Sequence, residues 1–216
     1  MITVSSTQHL SNSSLIKNRI ALIKEWEPQR EVWSLRYGDF IIAAIAAING
    51  TTINSMFRKQ LKLRHHGWKF TTLFISLGPA ITGCISHKVF ITDDVMLFGA
   101  KCTTCQELKA VTLLQANALL YSLIIAPTIN LAIAGTIGYR IPYLSEGKEL
   151  LKFWWSVVRP HSRTISLLFL CNTFIASTLT YSQITSMENM TNIVLKIHKY
   201  LDETKNTSKD SNLLDV

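Results

Sequence analysis

The sequence AVTLLQANALLYSLIIAPTINLAIAGTIGY, residues 110–139, contains no charged side chain over thirty residues and decides the class of this protein. As an α-helix rising about 1.5 Å per residue, it would extend about 45 Å, more than the roughly 30 Å of hydrocarbon in a bilayer. Lys109 and Arg140 bracket it where cations meet lipid headgroups. The stretch therefore predicts a membrane-spanning helix.

Three shorter uncharged stretches, residues 40–57, 70–86 and 164–187, repeat this pattern. Each has about the 17 or more residues that a membrane-spanning helix needs. Pro79 and two glycines interrupt the second stretch, so its alternative is a buried soluble helix or a re-entrant segment. We expect an all-α, multi-span integral membrane protein with four transmembrane helices.

Composition and charge support the same class and argue against nucleic acid as a partner. Apolar residues make up 48% of the chain and charged residues 17%, below the roughly 25% of ordinary soluble domains. The net charge is +8, but no arginine-rich helix and no interleaving of basic with aromatic residues accompanies it. The excess positive charge therefore points to membrane topology and to the anionic headgroups of the lipid bilayer.

The N-terminal residues 1–24 contain no acidic side chain, five serines and the basic residues Lys17, Arg19 and Lys24. This composition is typical of a mitochondrial targeting segment, and a short basic arm before the first span is the alternative. Near the other terminus, apolar residues from Ile193 to Leu201 recur at helical spacing before a polar tail. We therefore expect three parts: an N-terminal basic arm at 1–39, a four-helix membrane domain at 40–187, and a C-terminal amphipathic helix with a disordered tail at 188–216.

The charges of the connections predict how the spans are oriented. Residues 58–69 hold five basic side chains and no acid, and residues 140–163 hold five basic side chains against two acids. These two connections should face the compartment of negative potential, which is the matrix in a mitochondrion. The N-terminal arm, the connection at 87–109 and the C-terminal tail should share the opposite side.

Cys102 and Cys105 precede the third span at a spacing that allows a disulfide, half of a metal site, or neither. A zinc site would need two more ligands, and the only nearby imidazole is His87. A thiol-disulfide enzyme of the thioredoxin type would need a strand-rich fold. Rapid alkylation of Cys102 and Cys105 would indicate the reactive thiol that such an enzyme requires. In an oxidising intermembrane space a structural disulfide is the favoured state.

Residues 145–158 form a predicted amphipathic helix before the last span, and Pro160 should end it. Two tryptophans beside flanking cations are typical of an interfacial helix with its rings at headgroup depth. The apolar residues of this helix are also candidate partner-binding residues: Trp154, Trp155, Val157 and Val158. A second candidate surface is formed by small residues at four-residue spacing on the first span: Ala43, Ala46, Ala47 and Gly50. Close packing within the bundle is the alternative for that second set.

Polar residues inside the four uncharged stretches are few. Four amides are placed to hydrogen-bond between helices: Gln115, Asn117, Asn130 and Asn172. A carrier or channel would require these side chains to line one water-accessible cavity. Whether they do so therefore separates a carrier or channel from a protein without a transport pathway. Pro79 and Pro127 should kink their helices.

The chain carries no motif for catalysis. It has no nucleotide-binding loop, nucleophile elbow, paired catalytic carboxylates or His-Glu-x-x-His segment. The adjacent His65 and His66 do not face one another on a helix and make a poor metal pair. We therefore expect no catalysis, no cofactor, no metal and no small-molecule substrate.

Several segments together resemble the transmembrane protein 126 family. They are Asn54 to Lys59 at the end of the first span, the Cys102 and Cys105 pair, Pro127 with Asn130, and Trp154 to Pro160 ahead of a span with Phe174 and Tyr181. The likeness covers roughly residues 39–183. It rests on the order and spacing of these segments relative to four spans.

The resemblance implies a multi-pass protein of the mitochondrial inner membrane that acts as a chaperone in respiratory chain biogenesis. Members of that family assist the assembly of complex I by binding assembly factors and nascent membrane-arm subunits, without known catalysis. We therefore expect a non-catalytic complex I assembly factor. The alternative is a small-molecule carrier or channel of an organelle membrane.

Overall fold

The computed structural model describes residues 2–63, 66–98, 102–136 and 147–214, and these residues form helices without any strand. The α-helices are α1 (Ile2–Glu25), α2 (Trp33–Gln60), α3 (Trp68–His87), α4 (Asp93–Phe98), α5 (Thr103–Leu114), α6 (Tyr121–Thr136), α7 (Gly147–Val158) and α8 (Ser162–Leu214). Wide π-turns at Lys88–Thr92 and Gln115–Leu120 join α3 to α4 and α5 to α6. Short 3-10 turns lie at Gln29–Glu31 and Arg159–His161. The predicted all-α class is confirmed for the described residues.

Within this part of the chain, four helical segments are long and apolar enough to cross a membrane. They are Trp33–Gln60, Trp68–Leu97, Thr103–Thr136 and Gly147–Thr204. The second segment reaches 30 residues because helical turns continue past Ser86, which gives it sufficient length to span a bilayer. The predicted multi-span protein is therefore confirmed.

The outer surface of the bundle is apolar along these segments. Phe40, Phe70 and Phe174 expose 69%, 67% and 72% of their surface. Large exposed apolar patches are unfavourable in water, whereas lipid acyl chains solvate them. The apolar exterior agrees with a bilayer environment.

Two apolar clusters mark the two ends of the bundle. At one end, Ile23 of α1, Val95 of α4 and Met187 of α8 are buried together. At the other end, Phe57 of α2 packs in the same cluster as Val157 of α7. The N-terminal helix, the connection between the second and third spans, and the segment after the fourth span therefore share one end. The described residues of the two basic connections lie at the other end, and the compartment that each end faces stays a prediction.

The helix α8 continues through the predicted C-terminal boundary. It runs 53 residues from Ser162 to Leu214, whereas the sequence suggested a span, a separate amphipathic helix and a disordered tail. The physical reason is that this segment contains no glycine and no proline to end a helix. The helix before the last span, α7, ends at Val158 as predicted, and the 3-10 turn Arg159–His161, which contains Pro160, joins it to α8.

The N-terminal arm packs on the bundle and is not set apart from it. Ile20 and Trp26 contact the apolar cluster that α4 and α8 form. The Arg19 guanidinium donates a hydrogen bond to the Met96 carbonyl of α4. The first membrane helix also begins at Trp33, before the predicted boundary at residue 40.

Candidate functional site: buried polar contacts and the surface of α7

A buried arginine lies near the end of α2, where the first basic connection begins. Arg58 is only 6% exposed. Its Nη1 donates to Thr71 Oγ1 at 2.9 Å and to Asn130 Oδ1 at 3.4 Å, and its Nη2 donates to the His66 carbonyl at 2.8 Å. Such hydrogen bonds offset the free-energy cost of removing a charged group from water. Arg58 therefore links α2 to α3 and α6.

Two asparagines extend this Arg58 network. Asn130 Nδ2 donates to Asn54 Oδ1 at 2.8 Å, and Asn54 Nδ2 donates to Thr72 Oγ1 at 3.2 Å. Asn54 and Arg58 are one helical turn apart, so they project from the same face of α2. Sequence reasoning counted Arg58 among the cations of an exposed connection and missed its burial. The asparagine four residues earlier was the signal that could have revealed it.

A second polar network joins α2, α8 and the π-turn between α5 and α6. Asn49 Nδ2 donates to Asn172 Oδ1 at 2.8 Å, and Asn172 Nδ2 donates to Gln115 Oε1 at 3.4 Å. Gln115 Nε2 donates to the Phe169 carbonyl at 2.8 Å and to Thr173 Oγ1 at 3.0 Å. Because an unpaired polar group is costly in hydrocarbon, these bonds determine which helices lie beside α8.

The four amides that we predicted to hydrogen-bond between helices all do so. Asn117 Nδ2 donates to Ser86 Oγ at 3.0 Å, and Gln115, Asn130 and Asn172 make the contacts given above. Their donors are directed to different neighbouring helices. Of the four, Gln115 alone lines the apolar groove between the third span and α8. In the described part of the chain, these amides therefore hold helices together and do not form the common polar pathway that a carrier or channel requires.

A third polar cluster lies at the opposite end of the bundle from Arg58. His87 Nδ1 is 2.8 Å from Asp39 Oδ1, and Thr92 Oγ1 donates to the same carboxylate oxygen at 2.8 Å. His87 is 2% exposed, so this contact joins the end of α3 to α2 in the interior. Across the described ranges, no group of three His, Cys, Asp or Glu side chains could hold a metal ion.

Cys102 and Cys105 are joined by a disulfide at the start of α5. Their Cα atoms are 5.3 Å apart, and the Cys105 N–H donates to Cys102 Sγ at 3.2 Å, which caps the helix. Lys109 of α5 forms an ion pair with Asp94 of α4 at 2.7 Å. The disulfide therefore lies at the end of the bundle opposite the two basic connections.

We expect two cysteines to react with an alkylating agent when the protein is unfolded without reduction, and four after reduction. Cys84 and Cys171 are free thiols, whereas the disulfide protects Cys102 and Cys105. Mass spectrometry of the intact chain measures the number of groups added. A double variant, Cys102→Ser with Cys105→Ser, should take up two groups under both conditions. Four groups on the unreduced wild-type chain would show that the disulfide is absent.

A hydrogen bond from an indole fixes α7 to the third span. Pro127 of α6 has no N–H, so the Leu123 carbonyl lacks its usual helical donor four residues later. Trp154 Nε1 donates to that carbonyl at 3.0 Å. The indole thus satisfies a backbone group that would otherwise be unpaired in an apolar environment. We call this contact the Trp154 bond.

Only part of the predicted partner-binding set on α7 lies on the surface. Val157 is 1% exposed, and Trp154 and Val158 are half-buried against the apolar cluster at this end. Trp155 is 57% exposed, and Leu151, one helical turn earlier, is 66% exposed. We call Leu151 and Trp155 the α7 surface.

The small-residue face of α2 packs inside the bundle. Ala46 is fully buried and Gly50 is buried, while Ala43 and Ala47 are half-buried. Ala46 and Gly50 are therefore covered by this chain's own helices, which leaves them no surface for a partner. For Ala46 and Gly50, the structure therefore shows close packing within the bundle, which was the alternative to partner binding.

Gly50 lies against a carbonyl that a second proline leaves without its helical donor. Pro79 has no N–H to donate to the Ile75 carbonyl, four residues earlier in α3. A Cβ at position 50 would overlap the Ile75 oxygen and lie 3.3 Å from Pro79 Cγ. The absence of a side chain at Gly50 therefore allows α2 to approach α3 at this point.

These features define a class of protein: a four-span helical membrane protein whose described polar side chains connect its helices to one another. The chain belongs to the transmembrane protein 126 family. The profile of that family, Transmembrane protein 126, matches residues 14–196. This match extends beyond residues 39–183, over which the resemblance was found in the sequence, into α1 on one side and further along α8 on the other.

Two relatives illustrate how similar the chain is to other proteins of this name. It is 32% identical to Transmembrane protein 126 of Drosophila melanogaster over 154 residues, which cover 70% of this chain and 69% of the relative. It is 24% identical to Transmembrane protein 126A of Mus musculus over 169 residues, which cover 78% of this chain and 85% of the relative. No solved structure matches the chain.

Proposed function

We propose that this protein is a non-catalytic assembly factor for respiratory complex I in the mitochondrial inner membrane. In this role it acts as a chaperone that binds other assembly factors and newly made membrane-arm subunits. Membership of the transmembrane protein 126 family supports the proposal through the function that the resemblance implies. The serine-rich, acid-free composition of residues 1–24 supports the mitochondrial location.

The observation that carries the binding role is the α7 surface. Leu151 and Trp155 are exposed on a helix from which Phe153, Trp154, Val157 and Val158 pack against the bundle. Tryptophan is enriched among the residues that dominate binding energies, because one rigid ring buries a large apolar area. The Trp154 bond holds the helix in position. A fixed helix that exposes such a ring is suited to docking against a partner.

Replacing Leu151 and Trp155 together by alanine should leave the protein in the membrane but remove it from complex I assembly intermediates. Both side chains are exposed, and although Trp155 stacks on Trp154, the Trp154 bond to the third span remains. A partner on the α7 surface would lose its anchor, at a cost of about 2 kcal/mol or more. The variant is expressed in cells that lack the endogenous protein. Co-migration on native gels and the amount of mature complex I are then measured.

The matched control is the double variant Phe70→Ala with Phe74→Ala. These residues are also apolar and one helical turn apart, and they are 67% and 49% exposed, but they lie on α3. The control should retain its co-migration. Equal losses in the two double variants would exclude the α7 surface as the specific docking site. If the wild-type protein co-migrates with no complex I intermediate and its removal leaves complex I unchanged, the assembly role itself is wrong.

A further inference from the structure

An apolar groove runs along the outside of the bundle between the third span and α8. Its volume is about 760 Å³, within the range of about 300 to 1,000 Å³ that is usual for small-molecule sites. One wall comes from residues 112–123 and the other from the first turns of α8. Leu120 and Leu170, on opposite walls, are 57% and 64% exposed. The groove is therefore open to the membrane.

The lining of the groove suits hydrocarbon and not a polar solute. Leucine, phenylalanine and isoleucine side chains make up most of it. Its one amide, Gln115, already donates both to the Phe169 carbonyl and to the Thr173 hydroxyl. An acyl chain could fill this space while the Gln115 amide keeps its hydrogen bonds.

The groove is shorter than the full thickness of a bilayer. At about 1.5 Å per residue, the wall from Thr112 to Leu123 extends about 16 Å and the α8 wall from Ile165 to Leu170 about 8 Å. The hydrocarbon layer is roughly 30 Å thick. A membrane-spanning helix of a partner protein would need a contact surface along the full thickness of the hydrocarbon layer. The dimension therefore favours a lipid chain over a protein helix.

Exposed cations lie next to the end of the groove at which α8 begins. Arg163 precedes Ser166 by three residues and Leu170 by seven, and both of these line the groove. Arg163 therefore lies on the groove face of α8, two residues before the wall starts at Ile165. The segment 147–163 carries four lysine or arginine side chains against one acid, Glu149, and all five are exposed. Arginine suits phosphate because its planar guanidinium donates hydrogen bonds in pairs.

We propose that this groove is a binding site for an anionic phospholipid. One acyl chain lies between the third span and α8, and the phosphate headgroup lies against Arg163 and Arg159. The site does not include the α7 surface, and its existence does not depend on a role in complex I assembly.

The test uses the purified full-length protein in nanodiscs that contain phosphatidylcholine with a smaller share of phosphatidylglycerol. Native mass spectrometry then measures which lipids remain bound after release. The wild-type protein should retain phosphatidylglycerol in preference to phosphatidylcholine. Arg163→Gln should lower that preference about five-fold, the effect of one cation near an anionic headgroup. Ala116→Phe should abolish retention, because Ala116 lines the groove and is exposed within it.

Two matched variants control for general effects of charge and bulk. Lys196→Gln removes an exposed cation from α8 away from the groove, and Ala44→Phe adds the same ring at an exposed alanine of α2. Both should retain lipid as the wild type does. Ala116→Leu replaces Ala116→Phe if the larger residue lowers the melting temperature.

Three outcomes would overturn the proposal. The first is equal retention of the two lipids by the wild-type protein, and the second is unchanged retention when Ala116 is enlarged or Arg163 is neutralised. The third is capture of a protein, and not of a lipid, by a photo-crosslinking residue at position 120 in mitochondria. Because the nanodisc assay contains no mitochondrial partner, its failure would leave the assembly role untouched, and loss of that role would leave the lipid result untouched.

Discussion

Gly50→Ala should lower the free energy of unfolding by about 2–3 kcal/mol, a large effect for one methyl group. The new Cβ would meet the Ile75 carbonyl oxygen, which belongs to the backbone of α3 and cannot rotate away. The helices α2 and α3 must then separate. The Ile75 carbonyl, which has no helical donor because residue 79 is proline, is then no longer shielded by α2. Unfolding in detergent micelles, followed by circular dichroism, measures the change.

Gly83→Ala is the matched control for this variant. Gly83 is also buried in a helix, but a Cβ there would lie 3.6 Å from the nearest atom, Ala46 Cβ, which is ordinary van der Waals contact. Replacing glycine by alanine inside a helix favours the helix by up to about 1 kcal/mol when space is available. Gly83→Ala should therefore be neutral or stabilising. Similar destabilisation by both variants would show that contact with the Ile75 carbonyl is not the cause.

Trp154→Phe should lower the free energy of unfolding by about 1–2 kcal/mol. Phenylalanine preserves most of the apolar ring but has no N–H, so the Leu123 carbonyl would lose the donor that lies 3.0 Å away. The loss should also loosen α7 from the third span. The same micelle unfolding measurement applies, and protease sensitivity between α7 and α8 provides a second readout.

A double-mutant cycle with Pro127→Ala isolates the Trp154 bond. Alanine at position 127 has an N–H that can donate to the Leu123 carbonyl within α6, so the indole is no longer needed. In that background Trp154→Phe should cost less than about 0.5 kcal/mol, which corresponds to a coupling energy of about 1 kcal/mol. An equal cost of Trp154→Phe in both backgrounds would mean that the proline and the indole are independent.

The spans could be predicted from sequence because exclusion of charge from hydrocarbon acts on each segment separately. Lys109 shows the limit of the third stretch without reference to any other part of the chain. The Trp154 bond could not be predicted in this way. Trp154 and Leu123 are 31 residues apart. No local sequence pattern links an indole to a carbonyl elsewhere in the chain that lacks its helical donor because of a proline.

The burial of Arg58 illustrates the same limit. Asn54, on the same face of α2, is a hint of burial, but this local pattern alone does not separate a cation that reaches the headgroups from one that turns into the bundle. Its hydrogen-bond partners Thr71 and Asn130 lie on two other helices, so its state depends on how those helices pack. The N-terminal arm is a similar case. Its contacts with α4 and α8 involve residues that are distant in sequence, so its composition alone did not predict them.

Several of the residues that carried the family resemblance meet in space. Asn54, Arg58 and Asn130 belong to one hydrogen-bond network, and Pro127 and Trp154 meet at the Leu123 carbonyl. These segments are far apart in the sequence, and their spacing along the chain does not reveal the contacts. This part of the resemblance therefore corresponds to contacts between helices.

The uninterrupted α8 has a mechanical consequence. Its 53 residues make a rod about 80 Å long, of which residues 164–187 account for about 36 Å and residues 188–214 for about 40 Å. Between these halves, residues 184–190 are held in the apolar cluster with α1, α2 and α4. The first half of α8 is also held along its length, because Asn172 accepts from Asn49 of α2 and the Phe169 carbonyl accepts from Gln115. A sideways force on residues 188–214 would therefore act first on the cluster at residues 184–190, where α8 meets α1, α2 and α4.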